Sequence, residues 1–245
     1  TRALLESFGG ELTLVETAVR GAGEDARVGA IDTVDLAAPV TDPGKVLCVG
    51  LNYGDHVAET GRAFPEFPDI FVKFAQSLLG PNDEIGALAV TDNLDFEGEL
   101  AIVIGREAKA VSAADAHDYI AGVMLLNDIT ARDLQYRGTQ WTMGKAVDAS
   151  TPCGPDIVTL DEISNVQALD ITTTVNGVQV QHSNTRHMIF PLATIVEYIS
   201  RTMTLMPGDI IATGTPDGIG AKRTPPMWLG EGDVVEVTVD EVGVL

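Results

Sequence analysis

Asp95–Gly105 reads DFEGELAIVIG, an acidic opening that runs straight into an apolar stretch. In an extended strand, residues two apart share a face, so Glu97 and Glu99 point the same way and Asp95 joins them. Carboxylates that close repel one another unless a divalent cation, basic partners or protons neutralise them. One reading makes Glu97 and Glu99 the solvated face of an amphipathic strand. The unbroken apolar run from Leu100 to Ile104 favours another, in which the strand enters the core with its acids partly buried. Carboxylates hold such positions when they are paired or metal-bound. A further acid, Asp128, follows the apolar run YIAGVMLLN. Glu97, Glu99 and Asp128, all at strand ends, make an open oxygen site suited to Mg2+ or Mn2+.

Upstream, KVLCVG (45–50) reads as a buried strand and leads into LNYGDHVAETG (51–61). His56 and Glu59 are neighbours on a helical turn, which Gly61 closes as a C-cap. A carboxylate beside a histidine raises its basicity and fixes its tautomer, which suits a general base. A surface histidine with a casual local pair is the alternative. Lys73 lies inside the apolar strand IFVKF and Lys145 inside WTMGKA. A lysine so placed either snorkels or faces a polar cavity.

Downstream, Asn176-Gly177 between ITTTV and VQVQ predicts a type I′ hairpin. Apolar spacing predicts a core-facing helix over Met188–Met203, with Pro191 in its first turn. GTPDGIG (214–220) is glycine-rich but is neither a dinucleotide-binding nor a Walker sequence, which argues against a nucleotide fold. Its backbone N–H groups remain suited to holding a carboxylate. The period-two valines of DVVEVTVD predict a closing strand. A turn cluster at Val40–Gly44 places a boundary after residue 42, dividing a small β-rich N-terminal region (1–42, with a short strand at Glu11–Val15) from the domain at 43–245.

The 245 residues carry 36 acidic and 15 Lys/Arg side chains, a formal net charge of −21. That excess argues against nucleic acid or an anionic membrane as partner. No apolar run reaches the ~18 residues of a membrane span. The opening TRALLESFGGELTLVETAVR lacks the basic flank and apolar block of a signal peptide and has no initiator Met. Two cysteines, Cys48 and Cys153, outside any Cys-x-x-Cys pair, fit a reduced, cytoplasmic setting as packed thiols.

The stretches KVLCVGLNYGDHVAE, IFVK, DFEGELAIVIG, YIAGVMLLNDITARDLQ, WTMGKAVDASTPCGP, VNGVQVQ and PGDIIATGTPDGIG occur in this order. Together they make the chain from Lys45 onward resemble the fumarylacetoacetate hydrolase family. The resemblance implies an α+β, predominantly β fold: a mixed β-sheet roll, dimeric, behind a small N-terminal region. It implies Mg2+ or Mn2+ at Glu97, Glu99 and Asp128, in agreement with the spacing. It implies that His56 and Glu59 activate water from a mobile lid, that Lys145 is an active-site lysine, and that Lys73, Arg132, Gln135 and Thr215 line the substrate pocket. The substrate implied is a small 2-oxo acid, met in aromatic catabolism. The reaction implied is hydrolytic C–C cleavage of an acylpyruvate-like β-diketo acid through a metal-stabilised enolate. Isomerisation of a 2-hydroxyhepta-2,4-diene-1,7-dioate and decarboxylation of an oxaloacetate-type diacid are the alternatives. Two departures bear on the substrate: Leu51 stands where some acylpyruvate-cleaving members carry Arg, and Phe74 stands where Pro usually follows the lysine of IFVK.

Overall fold

Every residue of β1 (Val46–Gly50), β5 (Gly98–Ile104) and β6 (Ile120–Asn127) is buried, which is why these strands read as unbroken apolar runs. Their side chains alternate between two apolar layers. Leu47, Val49, Leu100, Ile102, Val123 and Leu125 face one layer. Val46, Cys48, Ala101, Val103, Met124 and Leu126 face the other. The structure, a computed structural model, describes residues 2, 5, 6, 17, 19–22 and 35–245.

These strands belong to a seven-stranded mixed sheet in the order β2-β1-β11-β5-β6-β8-β3. Its other members are β2 (Asp69–Lys73), β3 (Leu78–Leu79), β8 (Thr151–Val158) and β11 (Ile210–Ala212). β1 and β11 run parallel, as do β3 and β8, and the remaining pairs are antiparallel. A second sheet, in the order β10-β9-β12-β13, is built from β9 (Asp170–Val175), β10 (Val178–Asn184), β12 (Val235–Val239) and β13 (Gly243–Val244). Ile171, Val237 and Val239 of that sheet join Leu192, Ile195, Val196 and Ile199 of the helix Leu192–Thr202 to cover the first layer. Leu5, Ala38 and Val40 help to cover the second. A short ladder of β4 (Leu94–Asp95) with β7 (Thr130–Ala131) sits beside the end of the large sheet where β5 begins. The result is the predominantly β, mixed-sheet architecture expected.

The hairpin forms as expected: Asn176 and Gly177 both have positive φ, 51° and 74°, as a type I′ turn requires. The helix expected from Met188 begins only at Leu192. Pro191 is its N-cap rather than part of its first turn, and Thr185–His187 forms a separate 3-10 turn. The strand expected at Glu11–Val15 lies outside the described residues. Among the described residues before Asp35, Arg2, Leu5, Glu6, Thr17 and Val19 to Gly21 are helical. No helix among the described residues is long and apolar enough to cross a membrane.

Candidate active site

The antiparallel register of β5 and β6 sets Gly98 opposite Asn127. Glu97 and Asp128, the next residues outward, are therefore adjacent, and the Asp128 N–H donates to the Glu97 carbonyl at 2.8 Å. Glu99 lies two residues along on the same face. One carboxylate oxygen from each of Glu97, Glu99 and Asp128 lies within 4.8 Å of the others, and all three residues are buried. The solvated-face reading of Glu97 and Glu99 is thereby excluded. Asp95 does not join them, contrary to the simple two-residue alternation. The chain leaves extended pairing at Phe96 and Glu97, between β4 and β5. Asp95 turns to Arg132, which donates from Nε to Oδ2 at 2.7 Å.

The glycine-rich loop after β11 does hold carboxylates, and they are the protein's own. Gly214 N–H donates to Glu99 Oε2 at 2.7 Å, and Gly218 N–H to Glu59 Oε2 at 3.0 Å. Gly220 and Ala221 N–H groups donate to the two oxygens of Asp95 at 2.7 and 2.9 Å. Gly214 has φ 101°, and a Cβ there would lie 2.7 Å from the Asn52 Cβ, so both conformation and space call for glycine.

The cations supply the rest of the neutralisation. Lys145 Nζ donates to Glu97 Oε2 at 2.8 Å and to Asp128 Oδ2 at 2.6 Å. Lys73 Nζ donates to Asp128 Oδ1 at 2.7 Å and to the Ile129 carbonyl. Its ammonium is thus committed to Asp128, and Lys73, expected to line the substrate pocket, is not among the residues that line it here. Arg132 reaches Glu97 Oε1 at 2.6 Å and donates to Gln135 Oε1 at 3.0 Å. Burial alone would raise the Glu97 carboxyl, but Lys145, Arg132 and His56 outweigh it and hold Glu97 at about 2. Burial, Asp128 and Glu97 push Glu99 well above the ordinary carboxylate range, and no ammonium or guanidinium among the described residues pairs with it directly. Burial would lower the Lys145 ammonium, but Asp128 and Glu97 hold it above its usual range. One acid of the trio therefore lacks a matching positive charge. A hard divalent cation among the three carboxylates would supply it, so the donor set fits such an ion.

His56 comes from the helix Gly54–Thr60, whose Gly61 C-cap is left-handed as the sequence suggested. Its Nδ1 is 2.8 Å from Glu59 Oε1. With Nδ1–H donating to Glu59, Nε2 is the free basic nitrogen. His56, Glu97, Glu99, Lys145, Arg132, Gln135 and Thr215 all line one pocket, as does Leu51. The sequence reading missed several supports. Asn127 Oδ1 accepts from Glu97 N–H, and Gln181 Oε1 accepts from Gly98 N–H, each at 3.0 Å. Gln181 also donates to Thr215 Oγ1 at 2.8 Å, and Thr215 in turn donates to the Gly98 carbonyl. These amides carry no spacing signal. The side wall of Phe71 and Trp141 was missed for the same reason.

The family model described as fumarylacetoacetate (FAA) hydrolase C-terminal matches residues 45–245. This chain belongs to the fumarylacetoacetate hydrolase family. Among curated proteins it is 44% identical over 214 residues to the human oxaloacetate tautomerase FAHD2A, mitochondrial, spanning 86% of this chain and 68% of that protein. It is 41% identical over 233 residues to the Xenopus laevis oxaloacetate tautomerase fahd2, mitochondrial, spanning 94% and 73%. Among solved structures, a fumarylacetoacetate hydrolase from Exiguobacterium antarcticum is 40% identical with a TM-score of 0.81, covering 95% of this chain and 85% of that one. A 2-hydroxyhepta-2,4-diene-1,7-dioate isomerase from Mycobacterium marinum is 42% identical with a TM-score of 0.77, covering 90% and 79%. Membership in the family makes the protein an enzyme.

Proposed function

We propose that this fumarylacetoacetate hydrolase family member catalyses proton transfer beside the carbonyl of a 2-oxo acid, interconverting the keto and enol forms of an oxaloacetate-like substrate. The observation that carries the reading is the chain Gly218–Glu59–His56, whose His56 end lines the same pocket as Glu97 and Glu99 of the carboxylate trio. A Mg2+ or Mn2+ ion held by Glu97, Glu99 and Asp128 would supply Lewis-acid polarisation of the 2-oxo group. Glu59, itself fixed by the Gly218 N–H, holds His56 in the tautomer that leaves Nε2 basic. His56 Nε2 takes a proton from the carbon next to the carbonyl, and a proton returns to the carbonyl oxygen, so composition is unchanged. Lys145 and Lys73 hold Glu97 and Asp128 in place, while Arg132, Gln135 and Thr215 orient the acid. The oxaloacetate tautomerase names of curated relatives favour this reading over the hydrolytic one expected from the sequence.

Hydrolytic C–C cleavage is the second reading, favoured by the 40% identity to a fumarylacetoacetate hydrolase. There the same His56 Nε2 would take its proton from water. The two separate in one experiment. With Mn2+ present, the protein should accelerate loss of oxaloacetate enol absorbance, and a chelator should abolish the acceleration. His56→Ala should lower the rate by about 10²–10⁴-fold, the usual worth of a general base. If the wild type leaves oxaloacetate at its buffer rate but cleaves an acylpyruvate, hydrolysis takes the lead.

A further inference from the structure

We infer that Arg62, assisted by Lys222, forms a subsite for the far carboxylate of a 2-oxo diacid, so that the pocket mouth selects diacids over monoacids. The inference rests on the proposed 2-oxo acid chemistry and names the substrate class that the mouth prefers.

Charge is the first consideration. In a chain of net charge −21, an unpaired cation facing a pocket stands out. Lys145, Lys73 and Arg132 are all committed to carboxylates. Arg62 and Lys222 have no carboxylate partner among the described residues. Arg62 instead lies over the Trp141 ring, with Cζ 5.1 Å from the ring centre. Trp141 is itself fixed. It meets Phe71 edge-on at 5.4 Å, and it packs so closely on Gly50 that a Cβ there would come within 2.6 Å of it. A guanidinium stacked on a held ring keeps its edge N–H groups available for a bidentate carboxylate.

Position is the second. Arg62 lines the inner pocket with His56, Glu97 and Lys145, and it also lines an adjoining outer chamber with Lys222, Tyr136 and Trp228. Thr60, Arg132 and Tyr136 also line both spaces, so the two adjoin along a shared wall. The acid of the outer chamber, Asp133, is already engaged by Thr91 and by Arg137. A substrate whose 2-oxo acid end sits at the carboxylate trio therefore extends its tail toward Arg62 and Lys222. That end suits a second carboxylate better than an apolar tail. Leu51, which lines the inner pocket, brings no charge to compete for it.

The rival explanation is that Arg62 only latches its segment onto Trp141. A latch would affect all ligands alike, which gives the test. Binding of 2-oxobutyrate, 2-oxoglutarate and 2-oxoadipate to the Mn2+-loaded protein is measured by calorimetry for the wild type, Arg62→Ala, Arg62→Lys and Lys222→Ala. Arg62→Ala should weaken diacid binding about tenfold more than monoacid binding, as expected for one partly solvated charged hydrogen-bonded pair. Arg62→Lys should recover part of that difference, since it restores charge without the planar fork, and Lys222→Ala should show a smaller difference of the same sign. Equal weakening of mono- and diacids by Arg62→Ala, or no weakening, overturns the subsite while leaving the 2-oxo acid reading intact. If the wild type binds none of the three acids, the 2-oxo acid reading fails and the subsite falls with it.

Discussion

At the floor of the pocket, Glu97, Glu99, Asp128, Lys73 and Lys145 are each at most 6% exposed, and each has a hydrogen-bond or ionic partner. At its mouth, Tyr136 is 55% exposed, and Arg62 leans on a ring with no acid partner among the described residues. The floor rests on β5 and β6, central strands of a sheet buried on both faces. The mouth is built from the short helix Gly54–Thr60 and the loop that follows. The difference follows from burial. A buried charge without a partner is too costly to keep, so electrostatics fixes the floor residue by residue. An exposed side chain carries no such obligation, so the mouth is free to be shaped by the substrate.

Substitutions should therefore act on stability at the floor and on selectivity at the mouth. The largest effect should come from Lys145→Met, which leaves Glu97 and Asp128 without their shared ammonium. In chelated protein, urea unfolding should show a loss of about 3–5 kcal/mol, the usual cost of breaking a buried pair from one side. Added Mn2+ should restore part of it by binding only the folded state. Gly98→Ala should cost about 1–3 kcal/mol by overpacking. Its Cβ would lie 2.1 Å from Thr173 Oγ1 and 3.1 Å from Val237 Cγ1, inside the contact between the two sheets. At the mouth, Arg62→Ala should shift the unfolding free energy by no more than about 0.5 kcal/mol, as for surface positions generally. A large loss there would mean that the mouth is as tightly determined as the floor. The thiols sharpen the contrast from the core side. Burial pushes Cys153 up to about 12 and Cys48 well above its usual range, so neither should react with a thiol reagent at pH 8 unless the protein unfolds.

The floor was legible in the sequence for the same physical reason. Two glutamates at strand spacing, followed by an unbroken apolar run, must either be solvated or be neutralised, and the run excludes solvation. Lys73 and Lys145 stood out as lysines in apolar surroundings, and His56 and Glu59 as helical neighbours. What was not legible depends on backbone direction or on distant pairing. The turn at Phe96 that sends Asp95 to Arg132 has no local signature. Neither has the parallel pairing of β1 with β11, whose partners Val46 and Ile210 lie far apart in sequence. The loop amides of Gly214 and Gly218 were recognised as carboxylate holders, but their ligands, Glu99 and Glu59, are known only once the sheet is assembled. Arg62 gave no sign at all, since an arginine in a loop is ordinarily solvated.

The central claim is that the floor is a divalent-cation site completed by Glu99, the acid without a cationic partner. It is tested most directly by titrating chelated protein with Mn2+ in a calorimeter, alongside Glu99→Gln with its melting temperature checked. We expect one Mn2+ bound per chain in the wild type and a strong loss of affinity in the variant, because the amide keeps the shape and the Gly214 contact but removes the charge. Equal Mn2+ affinity in a folded Glu99→Gln protein, or no Mn2+ binding by the wild type, would contradict it.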